Sequence, residues 1–198
     1  MIVLGITGGS GTGKSTAAEV LKKEGAYIID CDKLAREVVE KGTDGYKEVV
    51  DFFGSKILAE NGDLNRKALG DIVFNDRAKL KRLEEITHSA IKAEVLKRLE
   101  AAKNKGTKLV VIDAPLLIEA GLNSLTDKIW LFTADFDVRL ERISKRDGIS
   151  LKSAESRFLS QTPAEKLIKF ADEVIDTSCY NIEETEVKIK RLKEHLYA

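Results

Sequence analysis

Residues 5–16 read GITGGSGTGKST, a glycine-dense stretch that follows the apolar run IVLGI and ends in a lysine and two hydroxyls. From Gly8 through Ser15 it fits GxxxxGK[ST], the loop that cradles nucleoside triphosphates. Its glycines let the backbone wrap so that successive N–H groups point inward, and a following helix aims its positive end at the same spot. In such a loop Gly9, Ser10, Gly11, Thr12 and Gly13 supply the backbone cradle and Lys14 reaches the β- and γ-phosphates. Ser15 holds Mg²⁺, and Thr16 touches the α-phosphate. A glycine-rich turn without a ligand is the other reading. The rival GxGxxG dinucleotide motif would need glycine at 14, where lysine stands.

A triphosphate loop serves kinases, motors and switches alike, so the acceptor of the phosphate must come from other residues. The string Ile29-Asp30-Cys31-Asp32-Lys33-Leu34-Ala35-Arg36 begins where a second strand should end. In a parallel sheet that edge is the ligand-binding edge. A carboxylate at Asp32 can take the proton of an attacking hydroxyl, and Arg36, one helical turn on, can clamp a substrate phosphate. A surface i,i+4 salt bridge between the two is the alternative. Asp113 follows the run KLVVI, where a Mg²⁺-binding carboxylate would stand; Pro115 then breaks the strand, and Leu116-Leu117 are expected beneath the site.

Residues 139–170 hold eight Lys/Arg against four Asp/Glu, whereas 172–186 hold six acidic residues and no basic one. A locally basic helical hairpin suits a lid over a triphosphate, with Arg142 and Arg146 four apart and facing the phosphates; a solvated amphipathic helix is the competing account. A guanine-specific switch is poorly supported. Ser144-Lys145-Arg146-Asp147 lies in a helical stretch rather than at a strand end, and Asp51-Phe52-Phe53-Gly54 lies far from the glycine loop.

The elements that must position these groups are legible. Short apolar runs at 2–6, 26–29, 108–112, 128–132 and 173–175 alternate with helical patterns such as STAAEVLKKEG at 15–25, which predicts a parallel sheet. Thr162 with Pro163 and Glu165, Asn65, and Asn181 read as helix caps. Residues 32–107 are too many for one crossover helix and should form an inserted helical lobe, with a long charged helix from about 76 to 104. Nothing marks a linker or repeat. The 198 residues therefore read as one domain: a core of about 1–31, 108–138 and 171–198, the lobe, and a lid of about 139–170.

Thirty-three basic residues balance thirty-three acidic ones, so the long-range field that nucleic-acid binders use is missing. No run approaches a membrane span, and the first residues, though apolar, lack the basic n-region and cleavage site expected of a secretory leader. Cys31 and Cys179 make neither a CxxC pair nor a zinc set and read as structural filler in a reduced compartment. A soluble, cytoplasmic protein without nucleic-acid or membrane partners is expected; nothing bears on its oligomeric state.

Taken in order, GxTGGxGxGKST, DCDKLAR, NGDLNRKAL, DAPLLIE, RISKRD and SRFLSQ…ADEVID resemble the dephospho-coenzyme A kinases over most of the chain. The resemblance implies a three-layer α/β P-loop kinase fold with a parallel five-stranded sheet, an inserted helical substrate lobe and a helical lid. It implies transfer of the γ-phosphate of ATP to the 3′-hydroxyl of dephospho-coenzyme A, with Mg²⁺. It makes Asp32 the base, with Lys14 and Arg142 the other catalytic groups. Arg142 and Arg146 become lid contacts to ATP, and Asp32, Arg36, His88, Pro115 and Leu116 the substrate contacts. Ser15 and Asp113 become the metal ligands. Two positions depart from the family pattern. His88-Ser89 stands where His-Pro is usual, which allows a different local turn and a structural hydrogen bond from His88. Thr177 stands where asparagine is usual, at the adenine edge.

Overall fold

The computed structural model describes residues 1–159 and 161–197. They divide into two compact units, one of Met1–Ile29 with Ala102–Ala198 and one of Asp30–Ala101.

In the first unit the sheet has the order β2-β3-β1-β4-β5, with β1 Ile2–Gly8, β2 Tyr27–Asp30, β3 Leu109–Asp113, β4 Lys128–Thr133 and β5 Glu173–Asp176. β1 pairs in parallel with β3 and β4, and β4 with β5. The expected strand runs lie within a residue or two of these bounds, because continuous β-branched and aliphatic runs are what a sheet covered on both faces requires. Register places Asp113 beside Ile6 and Phe132 beside Gly8, so the ends of β3 and β4 flank the start of the glycine loop. Ala17, Ala18 and Leu21 of α1 (Lys14–Lys23) and Ile189 of α9 (Ile182–His195) pack with Leu4, Ile6, Val111, Trp130 and Phe132 into one buried cluster. Gly25, at φ +89°, follows α1 and ends it as expected. Asn181 caps α9 through a complete capping box with Glu184.

Between β4 and β5 run α6 (Phe136–Asp147), α7 (Leu151–Leu159) and the single turn α8 (Ala164–Leu167). Ile143, Ala154 and Phe158, flanked by Leu140 and Ile149, close α6 and α7 into a hairpin. Thr162 does not cap α8. Its hydroxyl donates instead to the Glu119 carboxylate, a stronger acceptor interaction than a cap offers, and Pro163 stands at the cap position.

The second unit is helical: α2 Cys31–Glu37, α3 Asp44–Phe53, α4 Arg66–Val73 and α5 Arg77–Asn104, the last three residues of α5 belonging to the first unit. Thr43 and Asn65 cap α3 and α4 through their side chains. Asp51–Gly54 is the end of α3, consistent with the case against a switch motif. α5 passes without interruption through His88-Ser89, so the expected local turn is continuous helix; serine, unlike proline, keeps the N–H that the helix needs. No helix among the described residues is long and apolar enough to cross a membrane.

Candidate active site

Gly8 closes β1 and Lys14 opens α1, so the five-residue turn between strand and helix is the loop itself. Within this turn two glycines take positive φ. Gly13 caps α1 at φ +86°, a conformation that side-chain-bearing residues resist, and no side chain caps this helix. Gly11, at φ +80°, lies so near the backbone of Arg139 that a Cβ would stand 2.9 Å from its carbonyl oxygen. An uncapped helix start with free N–H groups is an anion site by construction. Thr12 is buried, and its hydroxyl donates to the Gly9 carbonyl at 2.8 Å. Ser15 is exposed on the first turn of α1.

Lys14 Nζ donates to Asp113 Oδ1, and the two side chains are 11% and 13% exposed. The loop lysine and the carboxylate ending β3 are thus one ion pair. Pro115 follows, its carbonyl accepting from the Thr7 hydroxyl at 3.2 Å. Of the expected Leu116-Leu117 pair only Leu117 packs inside. Leu116 is 49% exposed, because the chain turns after Pro115 and the two side chains leave on opposite sides.

Arg142 on α6 donates from Nη1 to Thr177 Oγ1 at 2.8 Å and Gly11 O at 3.2 Å, and from Nη2 to Thr177 O at 2.9 Å and Tyr180 O at 3.3 Å. Its fork therefore ties the glycine loop to the segment after β5. Arg146, one turn on, is exposed and makes a two-pronged pair with Asp147 at 2.7 and 3.1 Å, so only Arg142 of the two touches the loop. Arg146 nonetheless shares with Gly13, Thr16, Arg142 and Thr177 the lining of a cleft of about 1030 Å³.

Sequence reasoning missed three contributors. Arg139 lies one helical turn before Arg142; its Nε donates to Ser10 O at 2.9 Å and its Nη2 to Gln161 Oε1 at 2.8 Å, over the Phe158 ring at 4.2 Å. Burial pushes its guanidinium below the ordinary arginine range. Gln161 accepts from Ser10 N at 3.1 Å and donates to Ser10 Oγ at 2.7 Å, so all three polar groups of Ser10 are engaged. The i,i+3 spacing to Arg142 was the available signal for Arg139. Gln161 ends the SRFLSQ run, of which Ser160 lies outside the described residues. Thr177, noticed only as a departure from a family pattern, is 1% exposed and bonded to Arg142 and to the loop.

In the second unit Asp30 caps α2, accepting from Lys33 N at 3.0 Å. Asp32 and Arg36 are exposed on that helix and form no ion pair with each other among the described residues. His88 is half-buried midway along α5. Cys31 is buried, as filler should be, but Cys179 is exposed on the turn after β5 and fills nothing.

A parallel sheet with a GxxxxGKS loop between its first strand and first helix defines a P-loop nucleoside-triphosphate-binding architecture. The chain matches the family model described as dephospho-CoA kinase over residues 2–183. A dephospho-CoA kinase of Moorella thermoacetica is 42% identical over 99% of this chain and 94% of its own. A dephospho-CoA kinase structure from Campylobacter jejuni superposes with a TM-score of 0.72 at 27% identity, covering 98% of this chain and 96% of that one. The solved protein TT1252 of Thermus thermophilus gives 0.80 at 30%, covering 98% and 97%. The chain belongs to the dephospho-CoA kinase family.

Proposed function

We propose that the chain transfers the γ-phosphoryl group of ATP to the 3′-hydroxyl of dephospho-coenzyme A, releasing coenzyme A and ADP. The observation that carries this reading is the uncapped, amide-lined start of α1 with Lys14 held on Asp113, in a chain of this family.

In this reading the Gly9–Thr16 loop binds the triphosphate through its backbone N–H groups, and Lys14 moves from Asp113 to the β- and γ-oxygens. Thr16, Arg142, Arg146 and Thr177 line the cleft that takes the nucleoside, where the exposed Tyr180 and Ile182 give a base apolar surface. Asp32 accepts the proton of the attacking 3′-hydroxyl, and Arg36 holds a phosphate of the coenzyme. His88, Pro115 and Leu116 complete the acceptor site. Little covalent work falls to the protein, so positioning and charge stabilisation supply the rate.

The Ser15 hydroxyl and the Asp113 carboxylate are hard oxygen donors that suit Mg²⁺. When bound, the ion neutralises charge on the β- and γ-phosphates. Closure of the α6–α7 hairpin excludes water and suppresses ATP hydrolysis.

The deciding experiment offers purified protein ATP, Mg²⁺ and a panel of acceptors, with product masses measured. One phosphate added to dephospho-coenzyme A is the expected result. A phosphorylated nucleoside or nucleoside monophosphate, with dephospho-coenzyme A untouched, would make this a nucleotide kinase on the same fold; tight nucleotide binding with no small product would make it a switch.

A further inference from the structure

We propose that Thr177 is a positioning residue for nucleotide use, one hydroxyl that holds the glycine loop and Arg142 in a fixed mutual geometry. The direction of each bond follows from the partners. A guanidinium can only donate, so Thr177 Oγ1 accepts from Arg142 Nη1 at 2.8 Å. Carbonyls can only accept, so its single proton goes to Thr12 O at 3.0 Å, with Thr133 O the more distant alternative at 3.3 Å. The hydroxyl thereby spends its single proton on the loop and accepts from Arg142, at a position 1% exposed.

The rest of the residue works to the same end. Its N–H continues the β4–β5 ladder by donating to Thr133 O at 3.0 Å, which fixes the Cα. Its carbonyl takes the second prong of Arg142 at 2.9 Å. Its methyl lies against Gly13, where an added Cβ would meet it at 3.4 Å. Thr12 and Gly13 are the last two residues before α1, so Thr177 sets the height of the backbone whose N–H groups face the phosphates. The bland alternative is a buried threonine that satisfies its own hydroxyl. It does not explain why both partners belong to the two elements a triphosphate would touch.

This inference rests on the reading that the loop binds nucleoside triphosphate, and the test separates the two. ADP titrations by calorimetry and steady-state kinetics are measured for the wild type, for Thr177→Val, which keeps the shape and removes the hydroxyl, and for Thr177→Ser, which keeps the hydroxyl. The expected result is a KM for ATP and a Kd for ADP raised about tenfold in Thr177→Val, with KM for the acceptor unchanged and Thr177→Ser within about twofold of wild type. A merely structural threonine would lower the active fraction and hence kcat, leaving both KM values alone, and that outcome overturns the proposal. So does a loss in Thr177→Ser equal to that in Thr177→Val. Should Thr177→Val fail to fold, the double-mutant cycle of Thr177→Ala with Arg142→Lys decides: additive effects on KM for ATP overturn the proposal, and non-additive effects support it. Failure of the wild type to bind ADP at all overturns the underlying reading instead.

Discussion

Lys14 and Asp113, 99 residues apart in the chain, form an ion pair whose side chains are about nine-tenths buried. One belongs to the first turn of α1 and the other to the last residue of β3, and the parallel register of β1 with β3 brings them together. Removing one member takes this partner from the other's charge in a poorly solvated place, which costs about 3 kcal/mol. Lys14→Met and Asp113→Leu should therefore each lower the urea midpoint, and the double variant should lose less than the sum of the two. Lys14→Met should also cut kcat by about 10²–10³. Near-normal turnover in Lys14→Met would remove the lysine from the chemistry.

Asp32 is exposed on α2, so its replacement should cost the fold little, within about 0.5 kcal/mol. As the proton acceptor it should cost the reaction much. Asp32→Asn is expected to lower kcat by about 10²–10⁴ with the thermal midpoint unmoved. If Asp32→Ala turns over at a near-normal rate, the base is another group.

Arg139 donates from separate nitrogens to Ser10 O and to Gln161 while stacking on Phe158. A lysine has one compact ammonium and cannot reproduce a fork over a ring. Arg139→Lys should thus behave like Arg139→Ala, each raising KM for ATP by about tenfold. Full retention of ATP affinity in Arg139→Lys would reduce the contact to a charge effect.

The turn that carries Thr177 is held by Asp176. The Ser178 hydroxyl at 2.6 Å, then the Ser178 N–H at 2.8 Å, keep its carboxyl below the usual 3.8; burial opposes this, and the charges of Lys188 and Arg142 add to the lowering. A carboxyl depressed in the folded state stabilises the fold above its unfolded value. That contribution is lost as pH falls through the folded value. Asp176→Asn should therefore unfold more readily than wild type in urea at neutral pH, and the two curves should converge once the pH has fallen below the folded value. A gap that persists unchanged in acid would show that the carboxylate charge is not what holds the turn.

Much of this molecule is local information. The glycine loop needs φ values that glycine alone takes easily, and the strands need continuous β-branched runs. Asn65 and Asn181 cap helices through bonds that span three residues. Each such feature is written within a few positions of itself, which is why the five strands, the loop and the long helix α5 were legible. Thr162 misled for the same reason: its local cap signal was sound, but Glu119, 43 residues away, offered a better partner.

Tertiary structure decided which of several equivalent side chains does what. α6 carries Arg139, Arg142 and Arg146 on neighbouring turns, and composition cannot rank them. Packing of α6 on α7 and the glycine loop turns the first two toward Ser10 and Gly11 and leaves the third to Asp147. Leu116 and Leu117 were parted likewise, by a turn whose direction depends on β3 and its neighbours. Short-range stereochemistry depends on residues that are adjacent in the chain, so the sequence alone determined it. Partner choice depends on groups that only folding brings within hydrogen-bond reach.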